Sequence, residues 1–209
     1  MKPDLALHFT ELIARLRPVK RSRVFGIGLP KTGTKTLGDC FRTLGYKHHS
    51  YDMDLAVMVK QNEISRVLNI AEKYETFEDW PWFLIYKELD QKFPNSKFIL
   101  TLRKDAEVYI SSLKKHHLRQ GIKNRNFDKP VWWDGVFGFA PDMWDYDKSA
   151  EEYEKHKMEV LEYFKDRPKD LLVVCWENGD GWSELGNFID RPIPNRPFPH
   201  YNASSTGKP

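Results

Sequence analysis

The chain has 209 residues, a length that suits one compact α/β domain. Hydrophobic residues make up 40% and charged residues 30%, which is ordinary for a globular protein and argues against global disorder. The net charge is +3, and the basic residues are spread along the chain and matched by 30 acidic ones. This charge does not indicate nucleic-acid binding, but it suits a site for a small polyanion.

The cysteines and the N-terminal residues indicate the cellular compartment. Cys40 and Cys175 lie far apart in mostly apolar segments, which predicts buried free thiols and a reducing environment. Asp4, His8 and Glu11 interrupt the apolar stretch that a signal peptide needs. No apolar run approaches the ~18 residues needed to span a membrane. The sequence predicts a cytoplasmic protein without a membrane partner and leaves the oligomeric state open.

The first predicted elements are a helix, a strand, a loop and a second helix. Apolar residues recur at helical spacing before Pro18, namely Leu5, Phe9, Leu12, Ile13 and Leu16. Residues 23–28 read as a short buried strand and residues 29–33 as a glycine-bearing loop. Residues 34–44 then predict a helix that ends at Gly45.

The middle of the chain predicts further helices and the clearest strand. Residues 52–74 look helical with a break near Gln61, and 75–77 form a short strand. One face of the next helix carries Trp82, Tyr86, Leu89 and Phe93. Residues 97–102 are β-rich and bounded by a turn, so they predict a strand, followed by a helix over 105–117.

Residues 119–146 contain Gly, Pro, Asn and Trp without a period, which predicts a long loop and a candidate lid over the substrate. The remaining elements are a helix over 147–164, a strand over 170–175, a short helix over 182–189 and an extended, proline-rich tail over 192–209. Strands that alternate with helices predict an α/β fold with a central, mainly parallel sheet covered on both faces, hence three layers.

The first loop has the features of a phosphate-binding loop. A strand, a glycine loop and a helix together present backbone N–H groups and a helix N-terminus to an anion. Gly28 and Gly33 have the spacing of the ATP-binding pattern G-x-x-x-x-G-K-[ST], but Thr34 stands where the lysine is required. The lysine is Lys31 instead, and it would meet the terminal group of a nucleotide from the other side of the loop.

The segment Pro30-Lys-Thr-Gly-Thr34 resembles the 5′-phosphosulfate loop of the sulfotransferases that use 3′-phosphoadenosine 5′-phosphosulfate (PAPS). In that family the lysine contacts the phosphosulfate, and backbone amides and hydroxyls hold the 5′-phosphate. The resemblance implies a donor site formed by Pro30, Lys31, Thr32, Gly33, Thr34, Lys35 and Thr36.

A second motif strengthens the resemblance. The strand over 98–102 leads to Arg103, and Ser111 follows eight residues later, which is similar to the family's 3′-phosphate motif. Arginine offers a planar fork of donors that suits a phosphate dianion. An NTPase needs an aspartate at the end of such a strand to hold Mg²⁺, whereas this strand ends in a cation.

No metal is therefore expected. The four histidines that might be considered as ligands form two adjacent pairs, His48 with His49 and His116 with His117. Adjacent residues on a helix point ~100° apart, which is poor geometry for chelation. All four are expected to be exposed polar residues.

The family resemblance also suggests a general base. Many cytosolic sulfotransferases carry His-x-Pro, whose histidine takes the acceptor proton, and here the segment reads Asp79-Trp-Pro81. Phe77, Trp80 and Trp82 could desolvate Asp79 and raise its pKa towards that of a working base. The alternative is that Asp79 caps the helix that starts near Pro81. Three other candidate bases stay open: Glu78, His48 and His49.

Together the motifs look closest to a short sulfotransferase branch found in microbes and eukaryotes, over residues 23–190. Thr36 replaces the tryptophan that stacks on adenine in the animal cytosolic enzymes, so the adenine surface is not predicted. The resemblance implies one sulfotransferase domain over 1–209 with the P-loop nucleotide-hydrolase-like fold. It also implies metal-free, in-line sulfonate transfer from PAPS to a hydroxyl or amine of a small acceptor. A P-loop kinase or NTPase, and a non-catalytic nucleotide-binding protein, are the alternatives.

Overall fold

The computed structural model describes residue 13 and residues 22–119 and 145–199. Within these ranges the strands form one sheet in the order β2-β3-β1-β4-β5, and every neighbouring pair is parallel. The strands are β1 (Val24–Gly26), β2 (His48–His49), β3 (Thr76–Phe77), β4 (Lys97–Thr101) and β5 (Leu171–Val174). The predicted α/β fold with a central parallel sheet is confirmed.

Helices follow the strands in the predicted alternation. They are α1 (Thr34–Thr43), α2 (Met53–Lys60), α3 (Ile64–Ala71), α4 (Tyr86–Lys92), α5 (Ala106–Arg119), α6 (Tyr146–Phe164) and α7 (Trp182–Ile189), with single 3₁₀ turns at Trp82–Leu84 and Trp176–Asn178. The predicted break near Gln61 is confirmed, because α2 ends at Lys60 and Asn62 has a φ of 61°. None of the described helices combines the length and apolarity needed to cross a bilayer.

Some predicted features lie outside the described residues. These are the N-terminal helix except Ile13, nearly all of the loop over 119–146, and the end of the tail beyond residue 199. Strand β2, in contrast, was not predicted. Its two histidines carry no strand signal of their own, and they become a strand by pairing in register with Thr76 and Phe77 of β3.

The core has two parts, one on each face of the sheet. Phe98 and Leu100 of β4 join a cluster with residues of α2, α3, α4 and α6, whereas Ile99 joins a second cluster with residues of α1 and α7. Alternate residues of a strand point to opposite faces, so this split shows helices packed on both faces. Cys40 and Cys175 are buried free thiols, as predicted.

Aromatic rings form the centre of the first cluster. The ring of Phe25 lies 4.7 Å from Phe77 and 5.4 Å from Phe98, and Phe98 lies 4.8 Å from Phe164 of α6. These contacts join β3, β1, β4 and α6 through fully buried side chains. Aromatic pairs of this kind add to the free energy gained by burying their surface.

We therefore expect Phe98→Ala to lower the free energy of unfolding by about 3–5 kcal/mol, because it leaves a cavity between two strands and α6. Urea titration followed by circular dichroism measures the change. Val173→Ala is the control, since Val173 lies on the neighbouring strand β5 but is 41% exposed, and it should cost well under about 1 kcal/mol. Similar losses for both variants would contradict this account of the core.

Candidate active site

The candidate site lies at the carboxyl edge of the sheet. Because the strands are parallel, the loops that follow β1, β3, β4 and β5 emerge at this one edge. In open α/β sheets, ligands bind outside the carboxyl ends of the strands. The predicted phosphate loop, Asp79 and Arg103 all follow these strands directly, and Ser111 lies in α5.

The phosphate loop is held against the end of β4. A Cβ on Gly28 would lie 2.0 Å from Oγ1 of Thr101, so only glycine fits there. The Thr32 hydroxyl donates to the carbonyl of Leu29 at 2.6 Å and lies 2.7 Å from Oγ1 of Thr101. Since Thr32 is buried and its one proton goes to Leu29, it accepts from Thr101. The Thr32 side chain therefore shapes the loop from inside.

Helix α1 begins directly after this loop. Its N-cap is Gly33, at a φ of 103°, and glycine brings no side chain to satisfy the first amides of the helix. The Trp176 indole N–H donates to the Gly33 carbonyl at 3.1 Å, and a Cβ on Gly33 would lie 2.3 Å from that ring. Of the other predicted loop residues, Thr34 and Thr36 are buried, Pro30 and Lys31 are partly buried, and Lys35 is exposed.

Asp79 is hydrogen-bonded to the phosphate loop. Thr34, the first residue of α1, donates its hydroxyl to Oδ2 of Asp79 at 2.8 Å, and the Trp80 amide donates to Oδ1 at 2.9 Å. Burial, and then the negative charge of Glu78, raise the pKa of Asp79 to about 6. The Asp79 side chain caps no described helix, because the 3₁₀ turn Trp82–Leu84 has Pro81 as its N-cap and α4 begins only at Tyr86, after Ile85.

Glu78 points away from Asp79 and lies beneath α1. It is 1% exposed, accepts a hydrogen bond from the Ser50 hydroxyl at Oε1, and the same oxygen lies 3.4 Å from Nε2 of His48. A Cβ on Gly38 of α1 would lie 2.7 Å from this oxygen, so the helix closes directly over the carboxylate. Burial raises the pKa of Glu78 to about 7. The carboxylate of Glu78 is therefore closed off from solvent.

The expectation that all four histidines are exposed is wrong. The side chain of His48 is buried against Glu78, and His117 is buried in α5. His49 packs 4.5 Å from the ring of Tyr74, and burial lowers its pKa. Burial, followed by the charges of His116 and Lys31, lowers the pKa of His117 to about 4. The ammonium of Lys31 therefore acts on the face of α5 that carries His117.

Arg103 links three segments around the loop. Its Nε donates to the Lys31 carbonyl at 2.6 Å, Nη1 to Oε1 of Glu177 at 2.7 Å, and Nη2 to the hydroxyl of Ser112 at 3.1 Å. Ser111, the residue expected to act with Arg103, is exposed on α5, and its neighbour Ser112 makes the contact instead. Glu177 was not predicted. It reaches Arg103 because β5 lies beside β4 in the sheet.

Helix α6 fixes the main chain at this edge. The Tyr153 hydroxyl accepts from the Arg103 amide and donates to the Arg103 carbonyl, both at 3.1 Å, and its ring stacks on Tyr109 of α5 at 4.6 Å. His156 lies with Nε2 2.7 Å from the Ile27 carbonyl, which only accepts, so this nitrogen is the donor. The ends of β1 and β4 are thus positioned by one helix.

The expectation that a cation stands where an NTPase has an aspartate holds for β4, which ends before Arg103. It does not hold for β3, which pairs with the other side of β1 and leads directly to Glu78 and Asp79. The order of strands, which the sequence does not reveal, causes the difference. Across the described ranges, no group of three or more His, Cys, Asp or Glu side chains has an arrangement that would hold a metal.

Comparison with known proteins agrees with this geometry. Residues 23–206 match the family described as "Sulfotransferase domain". The chain is also 24% identical over 212 residues to "Ava biosynthesis cluster protein M" of Aspergillus versicolor, an alignment that covers 85% of this chain and 80% of that protein. Since the family match spans the loop, Asp79, Arg103 and every described strand, the chain belongs to the sulfotransferase family and is a transferase of sulfonate groups.

Proposed function

We propose that this sulfotransferase takes its sulfonate from PAPS and transfers it to a hydroxyl or amine of a small acceptor, without a metal. The observation that carries the proposal is the hydrogen bond from Thr34 to Asp79, which joins the phosphate loop to a carboxylate suited to accept a proton. The relative named as a biosynthesis cluster protein supports a small-molecule acceptor. The buried free thiols support a cytoplasmic location.

The donor is proposed to bind along the carboxyl edge of the sheet. The loop from Pro30 to Thr36 and the uncapped N-terminus of α1 offer amides and a positive dipole end to the 5′-phosphosulfate. Arg103, with Ser111 or the adjacent Ser112, is proposed to hold the 3′-phosphate that distinguishes PAPS from ATP. The Tyr153 contacts keep the Arg103 backbone fixed for this purpose.

Asp79 is proposed to be the general base and Lys31 the electrostatic catalyst. As the acceptor oxygen or nitrogen bonds to sulfur, its proton passes to Asp79, and the bond from sulfur to the bridging oxygen breaks. Adenosine 3′,5′-bisphosphate then leaves with the electron pair of that bond. Lys31 is proposed to offset charge on the departing oxygen, and its positive charge also lowers the pKa of Asp79.

Two other functions make different predictions. A P-loop kinase would use the aspartate at the end of β3 to hold Mg²⁺, but both oxygens of Asp79 accept hydrogen bonds from protein groups. A non-catalytic nucleotide-binding protein would keep the loop and Arg103 but would have no use for a carboxylate of raised pKa. The following measurements separate these functions.

Adenosine 3′,5′-bisphosphate is expected to raise the melting temperature more than ADP does, because only the bisphosphate places a phosphate on Arg103. A thermal-shift comparison at equal concentrations measures this. ATP with Mg²⁺ is the control for the kinase alternative. If its shift equals or exceeds that of the bisphosphate, the assignment of PAPS as donor fails.

Asp79→Asn is expected to lower turnover by roughly 10²-fold or more while leaving affinity for the bisphosphate nearly unchanged, since it removes a general base but keeps the size of the side chain. In the wild type, Asp79 must be deprotonated to accept a proton. Because its pKa is raised to about 6, turnover should rise with pH through that region. Initial rates between pH 5 and 8 measure both effects.

Glu78→Gln is the matched control, because Glu78 is the adjacent carboxylate but is closed off beneath α1. It should retain turnover. Its turnover should still rise with pH, because Asp79 remains the group that must be deprotonated. If Glu78→Gln loses turnover and Asp79→Asn retains it, the roles of the two residues are reversed.

Transfer is expected to continue in EDTA. The described residues hold no cluster suited to a metal, and Lys31 supplies positive charge at the reacting group. A discontinuous assay with labelled PAPS, run with EDTA and then with added Mg²⁺, measures this. Activity that disappears in EDTA and returns with Mg²⁺ would favour the kinase-like use of Asp79.

A further inference from the structure

The carboxylate of Glu177 is held in the way that a bound anion would be. Oε1 accepts from Nη1 of Arg103 at 2.7 Å, and Oε2 accepts from the main-chain amide of Lys104 at 3.1 Å. That amide lies just before the N-terminus of α5, which begins at Ala106. A guanidinium and a main-chain amide near a helix N-terminus are the usual components of a phosphate site.

Each nitrogen of the Arg103 guanidinium donates one hydrogen bond within the protein. Nε donates to the Lys31 carbonyl and Nη2 to the Ser112 hydroxyl, so Nη1 is the nitrogen given to the carboxylate. A phosphate dianion on Arg103 would stand close to Glu177, and two anions at such a separation repel strongly where solvent is partly excluded. The 3′-phosphate and the Glu177 carboxylate therefore compete for the same position beside the Arg103 guanidinium.

We propose that Glu177 occupies the 3′-phosphate position of the empty enzyme and is displaced when that phosphate binds, so that it weakens the hold of the site on 3′-phosphorylated nucleotides. The inference rests on the proposed use of PAPS. A nucleotide without a 3′-phosphate leaves the ion pair intact and gains nothing from Arg103. After transfer, the returning carboxylate opposes retention of the bisphosphate product.

Glu177 is the member of the pair that is able to move. Its side chain is 34% exposed against 19% for Arg103, and it lies in the 3₁₀ turn Trp176–Asn178, which ends at Gly179 with a φ of 97°. Arg103, by contrast, is fixed through its main chain by the two hydrogen bonds of Tyr153. Displacement therefore requires a rotation of one side chain towards solvent and no change in the sheet.

Glu177→Gln tests the proposal, because it keeps the shape and removes the charge. Calorimetric titration should show adenosine 3′,5′-bisphosphate binding about fivefold more tightly than to the wild type, the scale of a partly exposed ion pair. Affinity for 5′-AMP should not change. Glu162→Gln is the control, since Glu162 forms an exposed pair with Lys165 at the end of α6 and should alter neither affinity.

The outcomes are distinct. Unchanged or weaker binding of the bisphosphate by Glu177→Gln, with a wild type that prefers the bisphosphate to 5′-AMP, overturns this inference and leaves the proposed function intact. If neither protein prefers the bisphosphate, the 3′-phosphate role of Arg103 and the proposed donor fall together with the inference. Glu177→Ser, which also removes the charge, replaces Glu177→Gln in these titrations if that variant does not fold.

Discussion

The close approach of the phosphate loop to the end of β4 is the constraint on which the site depends. Gly28 lies so near Thr101 that a side chain has no room, and the Thr32 hydroxyl bonds the loop to that same residue. The loop is consequently held by its own buried hydroxyl. Arg103 follows β4 by two residues, so one strand sets both the shape of the loop and the position of the guanidinium.

Two adjacent carboxylates at the end of β3 have different environments and hence different uses. Glu78 turns under α1, where Ser50 donates to it and solvent is excluded. Asp79 turns towards the loop and receives the Thr34 hydroxyl. Placing like charges side by side makes it harder to ionise both, which moves the pKa of Asp79 towards neutrality. The carboxylate beneath α1 therefore influences the one that faces the loop.

Local patterns were enough to predict most of the helices and strands and the phosphate loop. Arg103 and Asp79 were singled out from short motifs that resemble those of the family, and both lie against the loop in the structure, while their roles stay predictions. Glu177 and Ser112 were missed, since their meeting with Arg103 depends on β5 lying beside β4 and on the exact turn of α5. The order in which distant strands pair in the sheet cannot be predicted from a single sequence.

His117 was missed for a different reason. Its spacing of eight residues from the buried Tyr109 places both on one face of α5, so helical periodicity contained the signal. No local sequence pattern predicts strand β2, because its two residues form a strand only by pairing with β3.

The contact between Trp176 and Gly33 has a consequence for the order in which the protein is completed. Trp176 bonds to the loop carbonyl and packs 5.0 Å from Phe198, which lies beyond α7. The loop belongs to an early part of the chain, whereas the residues that brace it are among the later ones to leave the ribosome. During synthesis the nascent chain therefore carries a loop that lacks the Trp176 contact, and Trp176 packs against Phe198 only when the segment after α7 has emerged.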